Sequence, residues 1–144
     1  MKQLVKETFS AENINEPPGE YRAYKDFTTL ECWKKAELVK LFFYNEILTK
    51  LPAEEKYHLG GQIREASVST TANIAEGYGR FHYKESIQFY RISRGSLYEL
   101  KDHLISCLNF GYVQNNLFEK GKGLIEDAKI SLNGYINYIQ KRIC

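Results

Sequence analysis

The sequence predicts an all-α fold, an antiparallel up-and-down four-helix bundle with an extended N-terminal arm. Three observations point there. Only three prolines occur, at Pro17, Pro18 and Pro52, which leaves long stretches in which helices can run. Apolar residues recur at helical spacing in four successive segments, and no strand-like alternation competes with them. Proline, glycine or asparagine punctuates each junction between those segments. At 144 residues, 43% apolar and 26% charged, the chain suits one domain with one hydrophobic core.

Residues 1–26 read as an arm outside the bundle, because Pro17-Pro18-Gly19 breaks any helix there. Residues 27–144 then form the bundle domain. Thr28 and Glu31 have the spacing of a capping box, so the first helix is expected to start there. Its apolar stripe is Trp33, Leu41, Tyr44 and Leu48, widened by Ala36, Val39 and Ile47, and Pro52 stops it. The second helix is expected from Ala53-Glu54-Glu55, where acids favour its positive end. Leu59, Ile63, Ala66, Thr70, Asn73, Ile74 and Gly77 face inward. Ser67, Ser69, Thr70, Thr71 and Gly60-Gly61 are mediocre or poor helix formers, and their small size suits close approach by a neighbouring helix. Gly77-Tyr78-Gly79 ends this helix by the usual glycine route. The third helix spans about Tyr83 to Asn109, with Tyr90, Leu97, Leu104 and Leu108 as its seam and Gly111 as its stop. The fourth runs from Asn115 or Asn116 to the end, with Leu117, Leu124, Ala128, Leu132, Tyr135, Ile139 and Ile143 as its stripe. Gly95, Gly121, Gly123 and Gly134 lie inside helices, where each costs up to about 1 kcal/mol relative to alanine. Close helix approach, within a protomer or between subunits, is the expected offset.

The net charge of +2 is not that of a protein that coats nucleic acid by charge alone, so any such role must rest on how the charges are distributed. Cys32, Cys107 and Cys144 are widely spaced, with neither a disulfide framework nor a zinc-knuckle spacing. The first twenty residues lack a signal-peptide run, and no stretch is long and apolar enough to span a membrane, so a cytoplasmic location is expected. Enzyme chemistry finds little footing. A di-iron bundle needs two Glu-x-x-His motifs, and Glu55 to His58 supplies only one. No histidine follows an arginine at helical-ribonuclease spacing, and the i, i+4 pair of His103 and Cys107 is expected to point partly apart from the core seam. No catalytic residue, metal site, cofactor, membrane contact or small-molecule substrate is expected.

Several ordered blocks resemble one family. Gln62 to Arg80, reading QIREASVSTTANIAEGYGR, is similar to the signature of the 23S rRNA-intervening sequence proteins. Leu51-Pro52 with Glu55, Tyr57 and Leu59 matches its preceding block, and Gly95-Ser96-Leu97-Tyr98-Glu99-Leu100 a later one. Leu30, Trp33, Lys35 and Ala36 resemble its opening, so the likeness covers roughly residues 27–143. Two departures stand out: Glu65 replaces a usual arginine and Thr71 a usual proline, which should leave the second helix straighter. The resemblance implies a bundle that assembles as a homopentamer, without enzymatic activity. Some members are encoded inside large-subunit ribosomal RNA genes, and a related branch works with a reverse transcriptase and its RNA.

The candidate sites follow from both readings. Arg64, Asn73, Glu76, Gly77, Arg80, Gly95, Ser96 and Glu99 stand in the family's motifs and are expected to form a structural network. Asn73 and Glu76 would either hold a bound group or pair with Arg64 or Arg94 to fix helix register. Lys84, Arg91, Arg94 and Lys101 fall on one side of the third helix, led by Arg80 and joined by Tyr98. A basic strip with an aromatic suits a phosphate backbone and a stacked base, whereas a solvated edge with stems laid over the core is the alternative. The expected partners are a second copy of the chain and RNA or a ribonucleoprotein, against a rival reading as a protein-binding scaffold.

Overall fold

The computed structural model describes residues 26–143. Residues 1–25 of the expected N-terminal arm (1–26), and Cys144, lie outside the described residues. Among the described residues, four long helices pack side by side without strands. They are α1 (Glu31–Phe42), α2 (Leu59–Tyr78), α3 (Tyr83–Asn109) and α4 (Asn115–Gln140). Each packs on its two neighbours in the order α1–α2–α3–α4 and back to α1. With short links, α1 and α3 run one way and α2 and α4 the other. The start of α1, the end of α2, the start of α3 and the end of α4 therefore share one end of the bundle, here called the arm end.

Each helix buries one stripe, and the stripes meet in one core. Val39, Phe43, Ile47, Ile63, Ile74, Leu97, Leu100, Leu104, Ile125 and Leu132 are fully buried within it. The seam expected on α3 is there, with Tyr90, Leu97 and Leu104 buried and Leu108 packed at its edge. Apolar burial at about 25 cal/mol per Å² makes this core the main source of stability. No described helix is long and apolar enough to cross a membrane.

Four local expectations are corrected. Thr28 does not cap α1: its hydroxyl turns to Asp26, whose carboxylate accepts from the Thr28 N–H and caps the preceding turn Phe27–Thr29. Leu30 stands at the cap instead, buried against the core. The α1 stripe holds only in part: Ala36, Val39 and Ile47 are buried as expected and Trp33 and Leu48 pack at its edge, but two members lie outside. Cys32, Ala36, Val39, Phe42, Phe43 and Ile47 are buried, whereas Leu41 and Tyr44 are 43% and 38% exposed. A π-helical turn over Phe43–Ile47 inserts extra chain and changes the phase of the helix from there on, so a constant period misplaces Tyr44, whereas Leu41 faces outward in the regular helix before the turn.

The α2 helix begins at Leu59, after an isolated 3-10 turn at Ala53–Glu55. There the Glu55 carboxylate accepts from the Leu59 N–H at 3.3 Å, and Gly60 lies so close to the Glu55 carbonyl that an added Cβ would meet it at 3.0 Å. At its other end α2 does not stop through a left-handed glycine, since Gly79 has φ −79°. Its N–H bonds back to the Ala75 and Glu76 carbonyls. Among the described residues only Gly111 takes a positive φ, +80°, and there it ends α3 as the sequence indicated. The Thr71 position leaves α2 unbroken, and its hydroxyl takes a bond from Lys40 at 3.1 Å.

Candidate nucleic-acid interface

The expected α3 strip separates into two halves, because α4 and the α2–α3 link answer most of its charges. Lys101 reaches Glu126 on α4 at 3.4 Å, and Lys129 reaches the same carboxylate at 3.0 Å. Hydrogen bonding from Lys129 and then Lys101 holds Glu126 below the usual carboxylate range. Burial opposes the charge on Lys129, yet Glu126 and Tyr98 outweigh it and hold this lysine above its usual value. Its ammonium lies 4.0 Å from the centre of the Tyr98 ring, so the face that was expected to stack a base carries a lysine. Arg94 donates to Asn133 Oδ1 at 2.9 Å. Arg80 is clamped between Glu76 at 2.6 Å and Glu85 at 3.1 Å, and its guanidinium covers Phe89 at 4.6 Å.

Lys84 and Arg91 differ from these. Both are exposed, and neither meets a carboxylate among the described residues. They line an open groove of about 490 Å³ at the arm end, between the first turns of α3 and the last of α4. Ile87 and Ile143 give it an apolar floor, and Gln88 and Gln140 add amides to its walls. Lys141 stands exposed beside it, and Arg142 packs over Tyr138 at 4.0 Å. Lys84 and Arg91 are seven residues apart, so their backbones lie about 10 Å apart on one face of α3.

The expected network also divides. Asn73 donates to the Ser69 carbonyl and hydroxyl, both at 2.9 Å, and the Ser69 hydroxyl meets that of Ser96 on α3 at 2.7 Å. Deeper in the same seam, the buried Ser93 hydroxyl donates to the Thr70 carbonyl at 2.7 Å. Glu76 takes no part in this chain of hydroxyls. Its side chain is 51% exposed and points to Arg80, and neither Arg64 nor Arg94 pairs with Asn73. Arg64 instead donates to the Lys56 carbonyl at 2.8 Å and ties down the link before α2. Gly77 sits where an added Cβ would lie 2.6 Å from a Tyr90 ring carbon. Gly95 is exposed with nothing near it, so close approach does not account for it within the protomer. Glu99 meets His103 Nε2 at 3.0 Å.

One tie was not visible in the sequence. Tyr112, after α3, donates its hydroxyl to Glu55, before α2, at 2.7 Å. That bond, with burial and the Glu55 charge, pushes the phenol up to about 12. No local pattern signals it, because the two residues stand on separate loops and spacing across loops carries no register. Glu55 is thereby committed to Tyr112 and to the start of α2, while its motif partner His58 is exposed. The thiols of Cys32 and Cys107 are buried, which pushes them up to about 12 and about 11. Among the described residues, no group of three His, Cys, Asp or Glu side chains is placed to hold a metal ion.

Comparison with curated proteins returns no match. The model of one family, described as 23S rRNA-intervening sequence protein, matches residues 28–134, from the turn before α1 well into α4. The span takes in the hydroxyl seam, the Arg80 clamp and the Lys84–Arg91 face, and the chain therefore belongs to the 23S rRNA-intervening sequence protein family.

Proposed function

We propose that this chain is a non-enzymatic, self-associating accessory protein that engages RNA or a ribonucleoprotein through the arm end of its bundle. The observation that carries this is the Lys84–Arg91 groove. Two cations without acidic partners among the described residues, set on one helix face beside Gln88 and Gln140, offer ionic and hydrogen-bonding contacts to a phosphate backbone. The contact surface is accordingly smaller than the strip that the sequence suggests. Arg80, Arg94 and Lys101 act within the fold, and one face of the exposed Tyr98 ring carries Lys129.

Self-association draws support from apolar surface. Leu38, Leu41 and Tyr44 on the first helix and its π-helical extension, and Val68 on α2, are 52%, 43%, 38% and 47% exposed. Tyr44 and Val68 share a shallow groove with Arg64, Glu65 and Ser69. Exposed apolar side chains on adjacent helices suit a subunit contact, and the family likeness suggests five copies in a ring. The same surface also favours the second reading, a scaffold that binds protein without nucleic acid.

The reading as a non-enzyme rests on chemistry: the buried thiols hold their protons at neutral pH, and His103 is engaged by Glu99. Binding of a labelled RNA hairpin at two salt concentrations, with assembly mass recorded on the same sample, separates the two functions. Salt-sensitive binding that Lys84→Glu with Arg91→Glu weakens supports the first, with the log–log salt slope falling by about one for each phosphate no longer neutralised. An intact assembly that ignores RNA at low salt leaves the scaffold.

A further inference from the structure

The arm joins the bundle at the end where the groove lies. Asp26 caps the first turn, Phe27 rests edge-on against Trp33 at 5.5 Å, and α1 packs directly on α4, whose last turn forms one wall of the groove. Packed helix axes lie about 8–10 Å apart, so the groove is on the order of 10–20 Å from Asp26. Six residues back to Glu20 reach about 20 Å, and ten back to Glu16 about 33 Å. The arm is long enough.

Its charge is also of the right sign. Residues 7–20, ETFSAENINEPPGE, carry four carboxylates, Glu7, Glu12, Glu16 and Glu20, and no lysine or arginine. The arm's basic residues, Lys2, Lys6, Arg22 and Lys25, all fall outside that stretch. Within it, Ile14 stands between Glu12 and Glu16. The groove presents the complement, an Ile87 and Ile143 floor between Lys84 and Arg91. Glu12 and Glu16 are four residues apart, which spans up to about 13 Å, against about 10 Å between the two basic positions. The other basic residues of the α3 strip already hold Glu76, Glu85, Glu126 or Asn133.

We propose that the acidic stretch of the arm, residues 7–20, docks in the Lys84–Arg91 groove of its own chain, with Ile14 on the apolar floor and Glu12 and Glu16 on the two cations. Tethering makes this docking effective even when the contacts are individually weak, because a short linker holds the segment at an effective concentration near the millimolar range. The docking stands without any nucleic acid. Its consequence, that the arm occupies the groove until a stronger polyanion displaces it, rests on the function proposed above.

The test uses the full chain with Ile14→p-benzoylphenylalanine, irradiated, digested and mapped by mass spectrometry. Crosslinks within one chain to segments 84–91 and 140–143 are expected. They should vanish with Lys84→Glu plus Arg91→Glu and return when Glu12→Lys and Glu16→Lys are added. Crosslinks elsewhere, crosslinks indifferent to charge reversal, or crosslinks only between isotopically distinct copies overturn the docking. The RNA hairpin is then titrated against Glu12→Gln with Glu16→Gln. An arm docked about nine-tenths of the time lowers apparent affinity about tenfold, so this variant should gain that factor. Unchanged affinity for an RNA that does bind removes the arm's control of the groove. Mapped crosslinks on a chain whose variants all ignore the hairpin uphold the docking and sink only the nucleic-acid reading.

Discussion

Gly77 and Tyr90 show how much one hydrogen atom decides. A methyl at Gly77 would lie 2.6 Å from the Tyr90 ring and 3.0 Å from the Ser86 carbonyl, and a carbonyl cannot swing aside. Gly77→Ala is therefore expected to lower stability by about 1–3 kcal/mol, read as the urea midpoint, through overpacking of the α2–α3 seam. Glu76, one position earlier, behaves differently because its side chain is 51% exposed and Arg80 retains Glu85. Glu76→Ala should cost less than about 1 kcal/mol by the same measurement, the range of an exposed ion pair. The family blocks made both positions conspicuous in the sequence. Which of them bears weight was not legible there, because a glycine's neighbour and a carboxylate's exposure are set by other helices.

At the scale of elements, α3 and α4 were readable because a strong period runs through them without a break. Their ends fall where Tyr83, Asn109 and Asn115 had indicated. Along α1 the expected stripe holds at Ala36, Val39 and Ile47 but fails at Leu41, before the π-helical turn, and at Tyr44, within it, where the turn shifts the phase while leaving the composition helical. The internal glycines divide in the same way. Gly121 is packed so closely that an added Cβ would meet Phe42 at 2.5 Å, whereas Gly95, Gly123 and Gly134 face open space. In a lone protomer, Gly123→Ala and Gly134→Ala should each raise stability by up to about 1 kcal/mol in thermal melts, by removing backbone freedom from the unfolded chain. A fall in assembly mass in the same variants would mark that face of α4 as one the subunits share.

For the molecule as a whole, protons held by burial or by the Tyr112–Glu55 bond predict a one-sided response to pH. Cys32, Cys107 and Tyr112 hold their protons to about 12, 11 and 12 when folded, against ordinary values of 9.0, 9.0 and 10.0. Tyr90 and Tyr135 are pushed upward as well, chiefly by burial. Each group binds its proton more tightly when folded, so its contribution is complete below the unfolded value and shrinks as pH rises above it. The urea midpoint should be level up to about pH 9 and fall from there toward pH 11, and Cys32→Ala with Cys107→Ala should flatten part of that fall. A midpoint independent of alkaline pH would contradict the burial of the two thiols and the Tyr112–Glu55 bond. By itself the sequence determined the helical class, four segments, most of their ends and the family blocks, because periodicity and turn chemistry are properties of neighbours along the chain. Only the tertiary structure decided which basic residues are free, because Glu126 and Asn133 come to α3 from α4, and the Arg80 clamp closes through the α2–α3 turn. Charge at a surface is settled by what faces it across space, and helical spacing along one chain segment carries no record of that.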